Sequence, residues 1–249
     1  MTDRWHVELD AAGFDRPGSV IRYGHWGRPV VVFPSEAGRA WDYENNGMLD
    51  AVRPLVDAGR VKLYCVDAFD ENTWSDRWLS LEDRARRHYA YEGWITGPVA
   101  AFIGQDSPGA TEAITTGCSM GAFHAVNFAL RRADLFPVAI GLSGSYDPSL
   151  WHAWGEPGSA AYELNPSWYV PDLEGDHLQW LRSRLTLVLN VGQGAWETHP
   201  TQALPSTRHL AGALHGKGIH AELHEWGPDV SHDWVWWQRQ IAYHLPRFC

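Results

Sequence analysis

The chain has 249 residues, 45% of them hydrophobic, so it can bury a sizeable core and is not disordered as a whole. Its 20 basic and 30 acidic residues give a formal net charge of −10 without a basic cluster, which argues against nucleic acid or an anionic membrane as partner. Cys65, Cys118 and Cys249 are too few and too scattered for a disulfide framework, and no apolar stretch approaches membrane-spanning length. Residues 1–6 lack a signal-peptide pattern. We therefore expect one domain, residues 1–249, in the cytoplasm.

Taken in chain order, the hydrophobic pattern predicts strands that alternate with helices. The predicted strands cover residues 5–9, 19–23, 29–33, 62–66, 114–118, 138–142, 185–191 and 220–226. The predicted helices cover residues 46–58, 81–103, 122–132, 207–216 and 234–245. Residues 147–175 are rich in Pro, Gly and Trp, have no clean period, and are interpreted as a small cap-like excursion. This order predicts a mostly parallel sheet with an antiparallel N-terminal hairpin and helices on both faces.

Residues 114–122 read ITTGCSMGA and contain the pattern Gly-x-Ser-x-Gly around Ser119. A strand precedes the pattern and a helix follows it, which is the context of the nucleophile elbow of α/β hydrolases. In that turn the serine hydroxyl projects above the sheet, next to the free N–H groups of a helix N-terminus. Ser119 is therefore predicted to be a catalytic nucleophile.

The general base is predicted from topology among 13 histidines. In this architecture the histidine lies on the loop after the last strand, and His232, between the predicted strand 220–226 and the last helix, meets that requirement. His220 and His224 lie within that strand, and as a pair without a third ligand they do not indicate a metal site. His124, inside the helix after the elbow, is expected to pack or hydrogen-bond there. No metal and no cofactor are expected.

The acid of the triad should follow the strand at residues 185–191, and Glu197 is the carboxylate near that strand end. It would accept the Nδ1 proton of His232 and stabilise the imidazolium. Asp147, just past the preceding predicted strand, is the alternative.

The oxyanion hole should combine the Met120 N–H with a second backbone N–H from the loop after residues 29–33. That loop begins Pro34-Ser35-Glu36 and lacks a His-Gly-Gly-Gly signature, so either Ser35 or Glu36 could supply the second donor; Glu36 is the residue we select.

Several short stretches of the sequence resemble a known protein family. The stretches GCSMGAFHA at 117–125, DLF at 134–136 and SGSYD at 143–147 resemble the putative esterase family of α/β hydrolases, which contains esterase D, feruloyl esterases and the antigen 85 mycolyltransferases. The tail, with GQGAWE at 192–197 and HDW at 232–234, is similar to a bacterial subgroup of that family. The resemblance implies serine ester hydrolysis without a cofactor. One departure is that many relatives carry Asp where this chain has Ala195, so Glu197 must substitute.

The resulting hypothesis is a serine carboxylesterase that hydrolyses a small ester or thioester through an acyl-enzyme, with self-association into a homo-oligomer as a further expectation. The alternatives are acyl transfer on the same triad and a non-catalytic protein that binds a ligand in the same pocket. Aromatic residues on predicted loops could line that pocket: Trp41, Tyr43, Trp74, Trp78, Trp151, Trp154 and Trp168.

Overall fold

The structure is a computed structural model that describes residues 3–249. Met1 and Thr2, the first residues of the segment expected to lack a signal-peptide pattern, lie outside the described residues. Within that range the strands form one eight-stranded sheet with the order β1-β2-β4-β3-β5-β6-β7-β8. The strands are β1 (Arg4–Leu9), β2 (Gly18–Tyr23), β3 (Arg28–Phe33), β4 (Val61–Val66), β5 (Ile114–Cys118), β6 (Val138–Leu142), β7 (Thr186–Val191) and β8 (His220–Glu225).

The pairing of the strands confirms the predicted α/β-hydrolase sheet. The β1–β2 hairpin is antiparallel, β2 pairs antiparallel with β4, and all other neighbours from β4 to β8 are parallel. The helices are α1 (Asp42–Asn45), α2 (Met48–Asp57), α3 (Leu81–Trp94), α4 (Ala100–Asp106), α5 (Met120–Arg131), α6 (Ser159–Glu163), α7 (Pro166–Tyr169), α8 (Gly175–Arg184), α9 (Ala203–Gly216) and α10 (Trp234–His244). No helix in residues 3–249 has both the length and the apolar character needed to cross a membrane.

Two hydrophobic clusters, one on each side of the sheet, explain why the central strands are apolar on both faces. The smaller cluster joins α2 and α10 to the sheet, through residues such as Val52 and Ile241. The larger one joins α3, α5, α8 and α9 to the other face, with Phe123 and Leu210 among its members. The segment predicted as a cap-like excursion contributes to this same larger cluster, with Leu164 fully buried.

Several helical segments differ from the sequence prediction, since α1, α6, α7 and α8 were not predicted. The helix expected over residues 81–103 is interrupted by a π-helical turn, Ile95–Val99, because Pro98 has no N–H to donate and its ring crowds the preceding turn. Of the unpredicted helices, α8 is the longest, and only its first residue, Gly175, falls in the segment interpreted as a cap-like excursion. Its sequence, GDHLQWLRSR, buries only Leu178 and Leu181, so its apolar stripe is too narrow to recognise.

The parallel strands place the predicted site residues at one edge of the sheet. Ser119 directly follows β5, and His232 follows β8 on the loop that leads into α10. Glu197 follows β7, and the loop that begins at Pro34 follows β3. Since these strands are parallel neighbours, their carboxyl ends meet, which is where α/β folds bind ligands.

Candidate active site

The turn at Ser119 has the strained geometry of a nucleophile elbow. Ser119 has φ 57° and ψ −121°, a conformation that costs a side-chain-bearing residue on the order of 1–3 kcal/mol. The flanking glycines permit the turn to approach its neighbours. A Cβ on Gly117 would lie 2.4 Å from the backbone of Gly121, and a Cβ on Gly121 would lie 2.2 Å from the carbonyl oxygen of Pro34. Both positions therefore exclude any larger residue.

His232 contacts the elbow serine directly. Its Nε2 lies 3.0 Å from Ser119 Oγ, within hydrogen-bond distance, and its side chain is only 8% exposed. The ring of Trp237, from α10, meets the imidazole edge to face at 4.9 Å between centroids. This packing restricts the imidazole to the orientation that faces Ser119.

Glu197 lies on the other side of the imidazole and is completely buried. Its Oε2 is 3.3 Å from His232 Nδ1, while its Oε1 accepts hydrogen bonds from Ser143 Oγ at 2.7 Å and from the Gly192 N–H at 3.2 Å. Ser143 in turn accepts a hydrogen bond from Trp237 Nε1 at 3.0 Å. The buried carboxylate is therefore satisfied on both oxygens, as a buried charge requires.

Backbone hydrogen bonds join the loop that carries Glu197 to the loop that carries His232. The Gly194 N–H donates to Val230 O at 2.8 Å, and the His232 N–H donates to Ala195 O at 3.0 Å. A Cβ on Gly192 would lie only 2.1 Å from the Val230 carbonyl oxygen. The two loops thus approach so closely that base and acid are held as one unit.

Asp147, the alternative acid, faces a different set of partners. Its Oδ1 accepts hydrogen bonds from the Ser149 N–H at 3.0 Å and from Asn165 Nδ2 at 2.7 Å, which caps the short helical turn at Pro148–Leu150. Its carboxylate therefore organises the loop after β6, and Glu197 is the acid that the structure brings to His232.

The other histidines considered from the sequence are engaged elsewhere. His124 is buried, and its Nε2 lies 2.9 Å from Asp70 Oδ1. His220 and His224 flank Glu222 on β8, at 3.9 and 3.0 Å. In residues 3–249 no group of three or more His, Cys, Asp or Glu side chains is arranged to hold a metal ion.

Three of the four backbone N–H groups from Ser35 to Gly38 are already occupied. Ser35 donates to Asp42 Oδ2 at 3.0 Å, Ala37 donates to Asp70 Oδ2 at 3.0 Å, and Gly38 donates to Ser35 O at 2.9 Å. No described residue accepts from the Glu36 N–H. Glu36 lies beside Ser119 and Met120 in one cavity, and its N–H, unlike that of Ser35, is not engaged by a described acceptor. The first, from Met120, opens helix α5 and has no intrahelical partner.

Ser119 and His232 open onto a cavity of about 270 Å³. Of the aromatic residues expected around it, Trp74 and Trp151 do line it, and their rings meet edge to face at 5.9 Å. The expectation was wrong for the other five: Tyr43 is buried in the smaller core cluster on the other face of the sheet, and Trp41, Trp78, Trp154 and Trp168 do not line the cavity. The complete lining is Glu36, Trp74, Ser75, Arg77, Ser119, Met120, Ser143, Ser145, Leu150, Trp151, His152, Pro200, Thr201, Gln202 and His232.

A buried arginine fixes one wall of this cavity. The Arg84 guanidinium donates to the backbone carbonyls of Trp74, Trp151 and His152 at 3.3, 3.0 and 3.3 Å. It thereby ties together the two loops that present Trp74 and Trp151. Burial lowers the pKa of the Arg84 guanidinium from its usual value.

Comparison with known proteins identifies the family of the chain. The family model described as "Putative esterase" matches residues 55–248, which is most of the chain. The chain belongs to this family. The resemblance stated from the sequence is thereby confirmed, and so is the expected enzyme class, a carboxylic ester hydrolase. No functionally curated protein matches the chain in sequence.

Solved structures of the same fold cover nearly the whole chain. A ferulic acid esterase is 15% identical, with a TM-score of 0.75 over 99% of this chain and 97% of that one. An S-formylglutathione hydrolase from Agrobacterium tumefaciens is 18% identical, with a TM-score of 0.74 over 99% and 94%. A fluorophosphonate-binding serine hydrolase from Staphylococcus aureus is 12% identical, with a TM-score of 0.69 over 99% and 98%. At these identities the likeness shows the α/β-hydrolase fold.

Two residues of the site were not identified from the sequence. Ser143 belongs to the run SGSYD and Trp237 to the predicted helix over residues 234–245, and neither pattern indicates a role at the site. Ser143 has φ 54°, so its hydroxyl is aimed by an unusual backbone conformation that sequence patterns do not reveal. The position of Ser143 immediately after β6 was the available signal, since residues there lie at the carboxyl edge of the sheet.

Proposed function

We propose that this esterase hydrolyses a small ester or thioester through a covalent intermediate on Ser119, with His232 as general base and Glu197 as the supporting acid. The observation that carries the proposal is the unbroken chain of contacts from Ser119 Oγ to His232 Nε2 at 3.0 Å and from His232 Nδ1 to Glu197 Oε2 at 3.3 Å. Nucleophile, base and orienting acid in this geometry form the triad of serine hydrolases.

The acylation step follows from this geometry. His232 Nε2 takes the Ser119 proton as Oγ attacks the ester carbonyl carbon, and the carbonyl oxygen becomes an oxyanion. The N–H groups of Met120 and Glu36 would stabilise that oxyanion. Collapse of the tetrahedral intermediate breaks the bond to the alcohol or thiol, which leaves with the proton held by His232. Water then repeats the sequence on the acyl-enzyme and releases the acid and free Ser119.

Glu197 supports the imidazolium formed in each step. Its negative charge is held by Ser143 and Gly192, so it stays oriented while the charge on His232 appears and disappears. This arrangement replaces the Asp that many relatives carry at the position of Ala195. The direct Glu197–His232 contact favours an enzyme over the non-catalytic binding protein considered from the sequence.

The experiment is activity-based labelling combined with turnover. A fluorophosphonate probe should label the wild-type protein at Ser119, and p-nitrophenyl esters of increasing chain length should be hydrolysed with a burst that reports the acyl-enzyme. His232→Gln should lose both signals, while His220→Gln, an exposed histidine on β8, should keep them. Labelling that persists in Ser119→Ala would overturn the assignment.

The same experiment separates hydrolysis from acyl transfer. Added primary alcohols should compete with water for the acyl-enzyme only if the cavity admits them, which product analysis by mass spectrometry would show. Self-association and a cytoplasmic location remain predictions.

A further inference from the structure

The rim of the active-site cavity carries an unpaired cation. Arg77 lines the cavity and is exposed, and within residues 3–249 its guanidinium has no hydrogen bond or ion pair. Arginine side chains elsewhere at the site are engaged, as Arg84 is with backbone carbonyls. A free guanidinium beside a reactive serine is the side chain best suited to bind a planar carboxylate.

The carboxylates near Arg77 are bound to other partners. Asp76 accepts a hydrogen bond from the Trp78 N–H at 3.1 Å, and its other oxygen lies 3.5 Å from Arg87. Glu36 accepts a hydrogen bond from Ser75 Oγ at 2.6 Å. These contacts leave the charge of Arg77 available to a ligand.

The protein holds the backbone of Arg77 in place while its side chain remains free. Trp154 Nε1 donates to the Arg77 carbonyl at 3.0 Å, and the Leu81 N–H donates to the Trp154 carbonyl at 2.9 Å. The loop that carries Arg77 is thus tied to the loop that carries Trp154, so the guanidinium is anchored at the rim.

A second positive charge lies behind the same wall. Arg84 is buried, and its guanidinium hydrogen-bonds only to carbonyl oxygens, so no carboxylate neutralises it by direct contact. Asp76, next to Arg77 in the chain, and Glu36, which lines the same cavity, carry the negative charges nearest to this wall. Because both carboxylates are bound to other partners, the unpaired Arg77 guanidinium is the group that points to an anionic ligand.

We propose that Arg77 is a subsite for a carboxylate carried by the ester substrate, so that the enzyme prefers carboxylate-bearing esters to neutral ones of the same size. This inference deepens the proposed function, because the occupant of the subsite is the substrate of Ser119. The carboxylate could belong to the alcohol part or to the acyl part of the ester. The test therefore includes both.

The experiment compares matched esters. On the alcohol side, 4-carboxyphenyl acetate is compared with 4-carbamoylphenyl acetate; on the acyl side, phenyl hydrogen adipate is compared with phenyl adipamate. The wild-type enzyme should show a higher kcat/KM for the anionic member of at least one pair. Arg77→Gln should reduce that preference about tenfold, the size of one charge-assisted hydrogen bond, and Arg77→Lys should retain part of it.

Two controls separate the subsite from other effects. Arg239→Gln removes one positive charge from an exposed position on α10 and should leave the preference unchanged. In the Ser119→Ala background, calorimetric affinities for the same pairs measure recognition without catalysis. A preference absent from the wild type, or unchanged in Arg77→Gln in both assays, would overturn the subsite. If the wild-type protein hydrolysed none of the esters but calorimetry showed tighter binding of the anionic member of a pair, the result would count against the proposed hydrolysis. It would still support the carboxylate subsite.

Discussion

The nucleophile and the acid reach the same imidazole by different means. Ser119 is placed by local structure: two glycines and one strained residue make the turn, and strand β5 and helix α5 run directly into it. Glu197 is placed by distant structure, since Ser143 after β6 and the loop after β8 hold it. Local structure therefore fixes the nucleophile, whereas contacts between elements distant in the chain fix the acid.

The largest loss of activity should come from changing the nucleophile, Ser119, which local structure places. Ser119→Ala removes the attacking oxygen and should lower kcat about 10⁴-fold or more, because no other described group near His232 is positioned to form the acyl-enzyme. The side chain is small and the turn is shaped by its glycines, so the thermal unfolding midpoint should stay within a few degrees of wild type. Steady-state hydrolysis and differential scanning calorimetry measure the two quantities. Residual activity near the wild-type level would show that the elbow is not the catalytic centre.

Replacing Glu197 should lower kcat less than replacing Ser119 does, and more than replacing Asp147, the alternative acid. Glu197→Gln keeps the shape of the side chain but cannot stabilise an imidazolium, and we expect kcat to fall roughly a hundredfold or more. Asp147→Asn should leave kcat within about twofold and reduce the free energy of unfolding by about 1 kcal/mol, because it weakens a cap. Steady-state kinetics and urea unfolding of both variants measure these changes. A large loss of kcat in Asp147→Asn together with a near-normal kcat in Glu197→Gln would show that Asp147 is the acid of the triad.

The support behind the acid should give a smaller but measurable effect. Ser143→Ala removes the hydrogen bond to Glu197 Oε1, and a decrease in kcat of roughly fivefold to twentyfold is expected from the loss of one bond to a buried charge. Trp237→Phe should act in the same direction, since it removes the donor to Ser143 but keeps the ring against His232.

Ser145→Ala is the matched control for this variant. Ser145 also lines the cavity, but its hydroxyl accepts a hydrogen bond from Trp151 Nε1 at 3.1 Å. If Ser143→Ala and Ser145→Ala changed kcat equally, the role of Ser143 would be that of a cavity wall and not of a support for the acid.

The same contrast explains how much could be predicted from the sequence. The strands, the elbow and the position of His232 follow from patterns of neighbouring residues, and the structure places them accordingly, whereas the order of the strands in the sheet was not predicted. The contacts of Ser143 and Trp237 depend on two elements separated by 94 positions in the chain, so no local pattern contains them. The break at Pro98 was readable in principle, because proline disrupts a helix interior, but the strong helical period on both sides concealed it.

The last prediction concerns the floor beneath the elbow helix, where His88 from α3 stacks on His124 at 5.4 Å between ring centroids. Burial lowers the pKa of His88 well below its usual value, and the neighbouring His124 lowers it further. Below about pH 6.5 the unfolded chain therefore binds a proton at this position that the folded chain does not. Stability from this group is fully present near neutral pH and is lost as the pH falls, by roughly 1 kcal/mol per pH unit.

Urea unfolding at pH 7 and pH 5 should show this slope in the wild-type protein and a shallower one in His88→Phe, which keeps a ring in the stack. Burial likewise lowers the pKa of His244 to about 4, so the variant should keep the part of the slope that His244 contributes between pH 6.5 and 4. His220→Gln, which replaces an exposed histidine, should leave the slope as in the wild type. An equal slope in His88→Phe and the wild-type protein would mean that His88 is not held neutral beneath the elbow, and that acid acts on the fold elsewhere.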